Sequence, residues 1–320
     1  MRRRVVVAAM AVALAAALSA CTSQTPNPGP TGPAPKFTII GDSTSVLSWN
    51  AVKTGATKAG QDLGVTVVFT AANGSASQQA TLIKQAITGG TAGVGVGVRD
   101  GQAGALQASL TSLGTAKIPY VVFDAPGAGG AALASVVSND AWIGQTAAQH
   151  MAALLGNKGK VAIIGGTGSG SGKARADAFK SYLKAHAPGV TVVSTVNGAT
   201  QASAKAAATT ALGTSGLAGI FATDGNAALG ASAAVTAQKA KVKVIGVDAL
   251  PAEVNAVKSK AIAGAIAQNP FNVGYQMVRL LAQANKGTPS PNKTVYSNAV
   301  WYTAATIKDP AVVSVLSTQQ

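Results

Sequence analysis

Residues 118–145 read IPYVVFDAPGAGGAALASVVSNDAWIGQ, and this stretch decides the fold. A short apolar run, Tyr120–Phe123, ends at Asp124, and a Gly- and Ala-rich loop leads to a second short run, Leu133–Ser138. Asn139-Asp140 then opens a helical stretch at Trp142. Two strand-like runs follow each other with no helix between them, which is how a chain looks when it leaves one sheet and enters another.

On both sides of this break the pattern is regular. The runs Phe37–Ile40, Val65–Thr70, Val94–Val98, Val161–Ile164, Val190–Val196, Leu217–Phe221 and Val242–Val247 alternate with helical segments. These segments include Trp49–Asp62, Ser77–Thr88, Trp142–Leu155, Gly172–His186, Ala202–Leu212 and Asn226–Lys239. Runs that are apolar throughout predict strands buried on both faces. Their alternation with helices predicts an α/β fold of parallel sheets with right-handed crossovers. The body is large for one doubly wound domain and fits two similar lobes. Ligands of open parallel sheets bind beyond the carboxyl ends of the strands, so two facing sheets would enclose a cleft.

Composition removes other classes. The 320 residues hold 25 Lys plus Arg, 10 Asp plus Glu, two His and one Cys, for a net charge of +15. One Cys permits no internal disulfide and no Cys-rich metal site, and no cofactor is implied. At 48% hydrophobic and 11% charged residues the chain is no disordered polycation. The lysines are dispersed, without an aromatic-rich basic surface, so no nucleic-acid partner is expected.

The N-terminus reads as an address. Arg2-Arg3-Arg4, the 16-residue apolar run Val5–Ala20 and the sequence Leu18-Ser19-Ala20-Cys21 make a signal peptide over residues 1–20. Leu-Ser-Ala-Cys resembles a bacterial lipobox, which makes Cys21 the expected lipidated N-terminus and membrane anchor. Residues 21–36 then form a tether whose five prolines preclude helix and sheet. Removal of Arg2, Arg3 and Arg4 leaves the mature chain at +12.

The scarce acids sit where the fold places ligands. Asp42 (followed by Ser43), Asp124, Asp224 and Asp248 each fall just past a predicted strand. Asp also favours turns and helix N-caps. A carboxylate can accept hydrogens from two hydroxyls, which suits a polyhydroxylated ligand.

Catalytic motifs fail. In the Gly-rich stretch Gly165–Lys173, Thr167 stands where a phosphate loop needs Gly, and Ala174 where it needs Ser or Thr. No G-x-S-x-G elbow occurs. His150 and His186 have no motif context, and no nucleophile–base pair is visible. The chain is not expected to be an enzyme.

Several segments, in order and at matching spacing over about residues 37–305, resemble type I periplasmic solute-binding proteins of bacterial ABC importers, above all the ribose- and galactose-binding cluster. They are Trp49–Ala56 with Asp62–Val65, Ile118–Asp124, Lys173–Phe179, Ile220–Asp224 with Ala228–Ala231, Val244–Asp248 and Ile262–Pro270.

The resemblance implies two Rossmann-like lobes joined by a three-segment hinge, 37–138 plus 270–298 and 139–269 plus 299–320. It implies a monomer that captures a small polar ligand, a monosaccharide above others, and docks on an ABC permease at the outer face of the cell membrane. Trp49 would stack on the apolar face of a sugar ring. Asp124, Asp224 and Asp248 would accept hydroxyl hydrogens, Arg175 would donate, and Gln268 would do both. Two departures from the ribose-binding pattern stand out: Ala125 in place of an Arg after the strand-end Asp, and Ser48 in place of an aromatic before Trp49. The sequence also admits a sensing subunit for a receptor kinase, and the same fold holding a nucleoside, a cyclitol or a signalling molecule.

Overall fold

The computed structural model describes residues 33–42, 47–99, 102–124 and 130–319. The first part runs β1 (Lys36–Gly41), α1 (Leu47–Leu63), β2 (Thr66–Ala71), α2 (Ala76–Thr88), β3 (Gly93–Val98), α3 (Ala103–Thr115), β4 (Tyr120–Asp124) and β5 (Ser135–Ser138). The second runs α4 (Asp140–Leu154), β6 (Gly159–Gly165), α5 (Gly170–His186), β7 (Val190–Asn197), α6 (Gln201–Leu212), β8 (Leu217–Ala222), α7 (Gly225–Ala237), β9 (Lys243–Val247), α8 (Pro251–Lys258) and β10 (Gly264–Ala267). Then come α9 (Pro270–Asn285), β11 (Thr294–Ser297), β12 (Val300–Tyr302) and α10 (Pro310–Leu316).

The strands form two six-stranded sheets, ordered β11-β5-β4-β3-β1-β2 and β12-β10-β9-β8-β6-β7. The loop after Phe123 is not itself a change of sheet: β4 and β5 are parallel neighbours in the first sheet, and the change comes one strand later, after Ser138, where α4 begins and packs on the second. The chain crosses between sheets after Ser138, between β10 and α9, and between β11 and β12. One pairing departs from the all-parallel expectation. β12 runs antiparallel to β10, because only two residues separate it from β11 and it enters the second sheet at its edge.

Helices cover both faces of each sheet. In the first, α1 and α9 pack over Phe37, Ile39 and Phe123, while Ile83, Leu106, Leu110 and Leu113 of α2 and α3 cover Ile40 and Val96. In the second, α4 and α5 cover Val161, Ile163 and Phe221, and the Ala-rich α6 and α7 cover Ala162 and Ile220. Central strands are buried on both faces as their sequences predict, but β2 and β7 alternate in burial. Each lies at a sheet edge, where one face of the strand meets less cover.

The contact of α1 with α9 sets the position of the ligand wall. A Cβ on Gly55 would lie 1.9 Å from the Phe271 carbonyl oxygen, and one on Gly274 1.9 Å from that of Val52. Only glycine at both positions lets the two backbones approach this closely. Caps fix the crossings. Asn139 accepts from the Trp142 amide at 3.0 Å to start α4. Asn269 accepts from the Asn272 amide at 3.0 Å to start α9, with Pro270 in the first turn. The Asn269 side chain also donates to Asn298 at 3.0 Å, and Ser297 donates to the Asn269 carbonyl at 2.8 Å, so the second and third crossings are bound together.

Candidate ligand-binding cleft

A cavity of about 420 Å³ lies between the two sheets. Its first wall is largely apolar, with Trp49 and Val52 of α1, Phe123 of β4, Val136 of β5 and Val273 of α9, and carries Asp124 and Ser138 at the strand ends. Its second wall is polar: Ser171 and Arg175 of α5, Asn226 of α7, Asp248 after β9 and Gln268 after β10. Trp49 is 8% exposed and meets Phe123 edge-on, with ring centroids 5.4 Å apart, so its ring is held rather than free to swing.

Arg175 is buried and its guanidinium is fully directed. Nε donates to Asp140 at 2.7 Å, Nη1 to the Thr223 carbonyl at 2.8 Å and Nη2 to Gln268 Oε1 at 3.1 Å. Gln268 is the junction. Its Oε1 also accepts from Ser138 at 2.7 Å, and its Nε2 donates to Asp248 Oδ1. Asp248 Oδ2 takes the Gly225 amide at 3.0 Å, and its carbonyl accepts from Tyr302 at 3.1 Å. A chain of bonds thus runs from the last residue of β5 in the first sheet to α5, α7 and β9 in the second.

Asp124 and Asp248 share an uncommon backbone. Their φ values are 80° and 102°, a region where a residue with a side chain costs about 1–3 kcal/mol. Both lie at strand ends and both line the cavity. Strain of this kind gathers at sites that must aim a side chain.

Of the residues expected from sequence, the fold brings together Trp49, Asp124, Arg175, Asp248 and Gln268. Asp224 stands behind them. Its backbone is extended, and its carboxylate caps α7 by accepting from the Ala227 amide at 2.9 Å. Burial, reinforced by the nearby charge of Asp248, raises its pKa against the Ala227 hydrogen bond. Asp42 is 4% exposed and paired with Arg99 at 3.2 Å, away from the cavity lining. Ser43 and Cys21 lie outside the described residues.

Ser138, Ser171 and Asn226 also line the cavity without having been singled out. Ser138 closes the run Leu133–Ser138, so the strand-end rule that found the aspartates reaches it too. Ser171 belongs to the Gly-rich stretch that fails as a phosphate loop, and Asn226 sits two residues past the Asp224 cap. Among the described residues no group of His, Cys, Asp and Glu is arranged to hold a metal. No described helix is long and apolar enough to cross a membrane.

A largely apolar, aromatic wall facing a wall of carboxylate, guanidinium and amide suits a ring with carbon on its face and hydroxyls on its edge. The comparisons agree with this geometry. The periplasmic binding protein domain pattern matches residues 38–289. The ribose import binding protein RbsB of Haemophilus influenzae is 29% identical over 158 residues, 49% of this chain and 54% of that protein. The chain therefore spans about half the length of that relative. RbsB of Salmonella typhimurium is 25% identical over 239 residues, 74% of this chain and 80% of that protein. Among solved structures, the arabinose-binding protein AraP of Geobacillus stearothermophilus superposes with a TM-score of 0.79 at 27% identity, covering 86% of this chain and 98% of that one. A carbohydrate transporter solute-binding protein of Agrobacterium radiobacter, in complex with D-arabinose, gives 0.75 at 26% identity, covering 88% and 99%.

Proposed function

The chain belongs to the periplasmic binding protein domain family, and from that premise we propose that it is an extracytoplasmic, lipid-anchored protein that captures a monosaccharide in its cleft and delivers it to an ABC importer. The observation that carries the reading is the pairing of walls: Trp49 on one side, and Arg175, Asp248 and Gln268 on the other, around a cavity of about 420 Å³. The names of the relatives support it, since they are described as binding ribose or arabinose.

The mechanism is a trap. Trp49 offers its ring to the C–H face of a sugar, while Asp248 and Asp124 accept hydroxyl hydrogens and Asn226 and Gln268 supply amide groups. Contacts from both walls favour the closed arrangement of the lobes and shift a pre-existing equilibrium toward it. Residues 37–138 plus 270–298 act as one lobe and 139–269 plus 299–320 as the other. Family membership implies work outside the cytoplasm. The Leu18-Ser19-Ala20-Cys21 sequence supports an anchor at Cys21, with residues 22–35 as the spacer. The protein acts as a monomer and hands its ligand to the permease.

A thermal-shift panel of monosaccharides, polyols and nucleosides tests the ligand class. Binding stabilises the folded state by mass action, by about 2.7 kcal/mol at a hundredfold excess over Kd, and so raises the midpoint. A shift with one or a few sugars supports the proposal. A shift with nucleosides alone, or none with any sugar, refutes it.

A further inference from the structure

The second wall is short of positive charge. Arg175 is the single cation lining the cavity among the described residues, and Asp140 already neutralises it. The partners of the Asp248 carboxylate, the Gln268 amide and the Gly225 N–H, are both neutral. Behind it lies a carboxyl that the sugar-trap mechanism does not use. Glu253 of α8 is 0% exposed, and neither of its oxygens has a hydrogen-bonding partner of good geometry. It is wedged beneath β9 so closely that a Cβ on Gly246 would lie 2.3 Å from its Oε1. Burial first, then the charges of Asp248 and Asp224, push its pKa well above the ordinary carboxylate value. Burial also raises the pKa of Asp224, against the Ala227 hydrogen bond and with a further push from the charge of Asp248. Asp248 thus lines the cavity with no cation bonded to its carboxylate, and its charge reaches both carboxyls behind it.

We infer that the ligand of this cleft bears no anionic group and presents a cationic amine to Asp248, which makes it an amino sugar or another amino-bearing polyol. The inference rests on the sugar-capture reading and narrows it. An ammonium donates up to three hydrogens and supplies the charge that Asp248 lacks. A uronate or sugar phosphate would bring like charge to a partly dehydrated carboxylate and lose affinity. The pattern also accounts for a cleft that is locally acidic in a chain of net charge +15.

Calorimetric titration of the purified protein tests this with a panel of hexoses and pentoses, each beside its amino-deoxy and uronic-acid counterparts, at pH 6.5. The expected result is an amino sugar that binds at least about tenfold tighter than its neutral parent, with no measurable binding of the uronate. In Asp248→Asn the amine's advantage should fall to about twofold or less. A neutral parent that binds as tightly as its amine, or a uronate that binds comparably, overturns the inference and leaves sugar capture standing. No binding by any member of the panel overturns both.

Discussion

Ser138 donates to Gln268 across 130 residues of chain, at 2.7 Å. The bond ties the end of β5 in the first sheet to the residue after β10 in the second, beside two of the three crossings. Gln268 is thereby held ready to reach Asp248 and to receive Arg175. Ser138→Ala removes the donor. A hydrogen bond of this kind contributes about 1 kcal/mol, so ligand affinity should fall about fivefold in a calorimetric titration, with little change in the thermal midpoint. Wild-type affinity in Ser138→Ala would show that the bond does not serve the site.

Trp49 is one of three tryptophans, and the other two stand elsewhere: Trp142 is 39% exposed, and Trp301 stacks on His150 with centroids 4.0 Å apart. Only Trp49 lines the cavity among the described residues. Ligand should therefore change the fluorescence of the wild type and of Trp142→Phe, and not that of Trp49→Phe. A ligand signal that survives in Trp49→Phe would place the sugar elsewhere.

Sequence alone suggests that Arg175→Ala weakens binding and leaves the body folded. Its burial changes that expectation. Removal of the guanidinium leaves Asp140, 14% exposed, without its cation, takes the donor from the Thr223 carbonyl and removes one of the donors to Gln268 Oε1. Breaking a buried pair on one side costs about 3–5 kcal/mol, and the partial exposure of Asp140 favours the low end. Urea unfolding should therefore show a loss of about 3 kcal/mol, with a smaller loss for Arg175→Lys, which keeps the charge but not the fork. Equal stability of Arg175→Ala and wild type would contradict the buried pairing.

Glu253 makes stability depend on pH. Facing it are Asp248 after β9, Asp224 at the cap of α7 and Tyr302 of β12, whose phenol is itself raised by burial, Glu253 and Asp248; Arg175 lies beyond Asp224. The folded state holds the Glu253 proton more tightly than the unfolded chain, whose value is near 4.5. Its contribution is thus complete below that value and is lost as pH rises toward the folded pKa, and Asp224 acts in the same direction. The melting temperature of the wild type should fall between pH 5 and pH 8. Glu253→Gln, neutral throughout, should flatten the profile by about 2 °C or more. Superimposable profiles would contradict a buried carboxyl with a raised pKa.

Much of the fold is legible because buried parallel strands read as unbroken apolar runs, from Phe37–Ile40 to Val242–Val247. The end of the chain is harder to read. β11 and β12 have four and three residues, too few to carry a period, and α3 sets Leu106, Leu110 and Leu113 at helical spacing among glycines. The strand-end rule finds four aspartates but not where they point. Asp124 and Asp248 turn into the cleft through positive φ. Asp224, with φ −156°, stays extended and caps a helix, and Asp42 is drawn to Arg99, a partner distant in sequence. Glu253 shows no sequence signal, since a Glu on a short helix normally faces water and its burial depends on Gly246 beneath it.

The most direct test of the account is a calorimetric titration of the sugar that gives the largest thermal shift, into the wild type, Asp248→Ala and Gln268→Ala. The wild type should show one site per chain, and each variant a loss of at least about tenfold in affinity, since each removes a polar group from the ligand-facing wall. Wild-type affinity in both variants would contradict the placement of the ligand between the two walls.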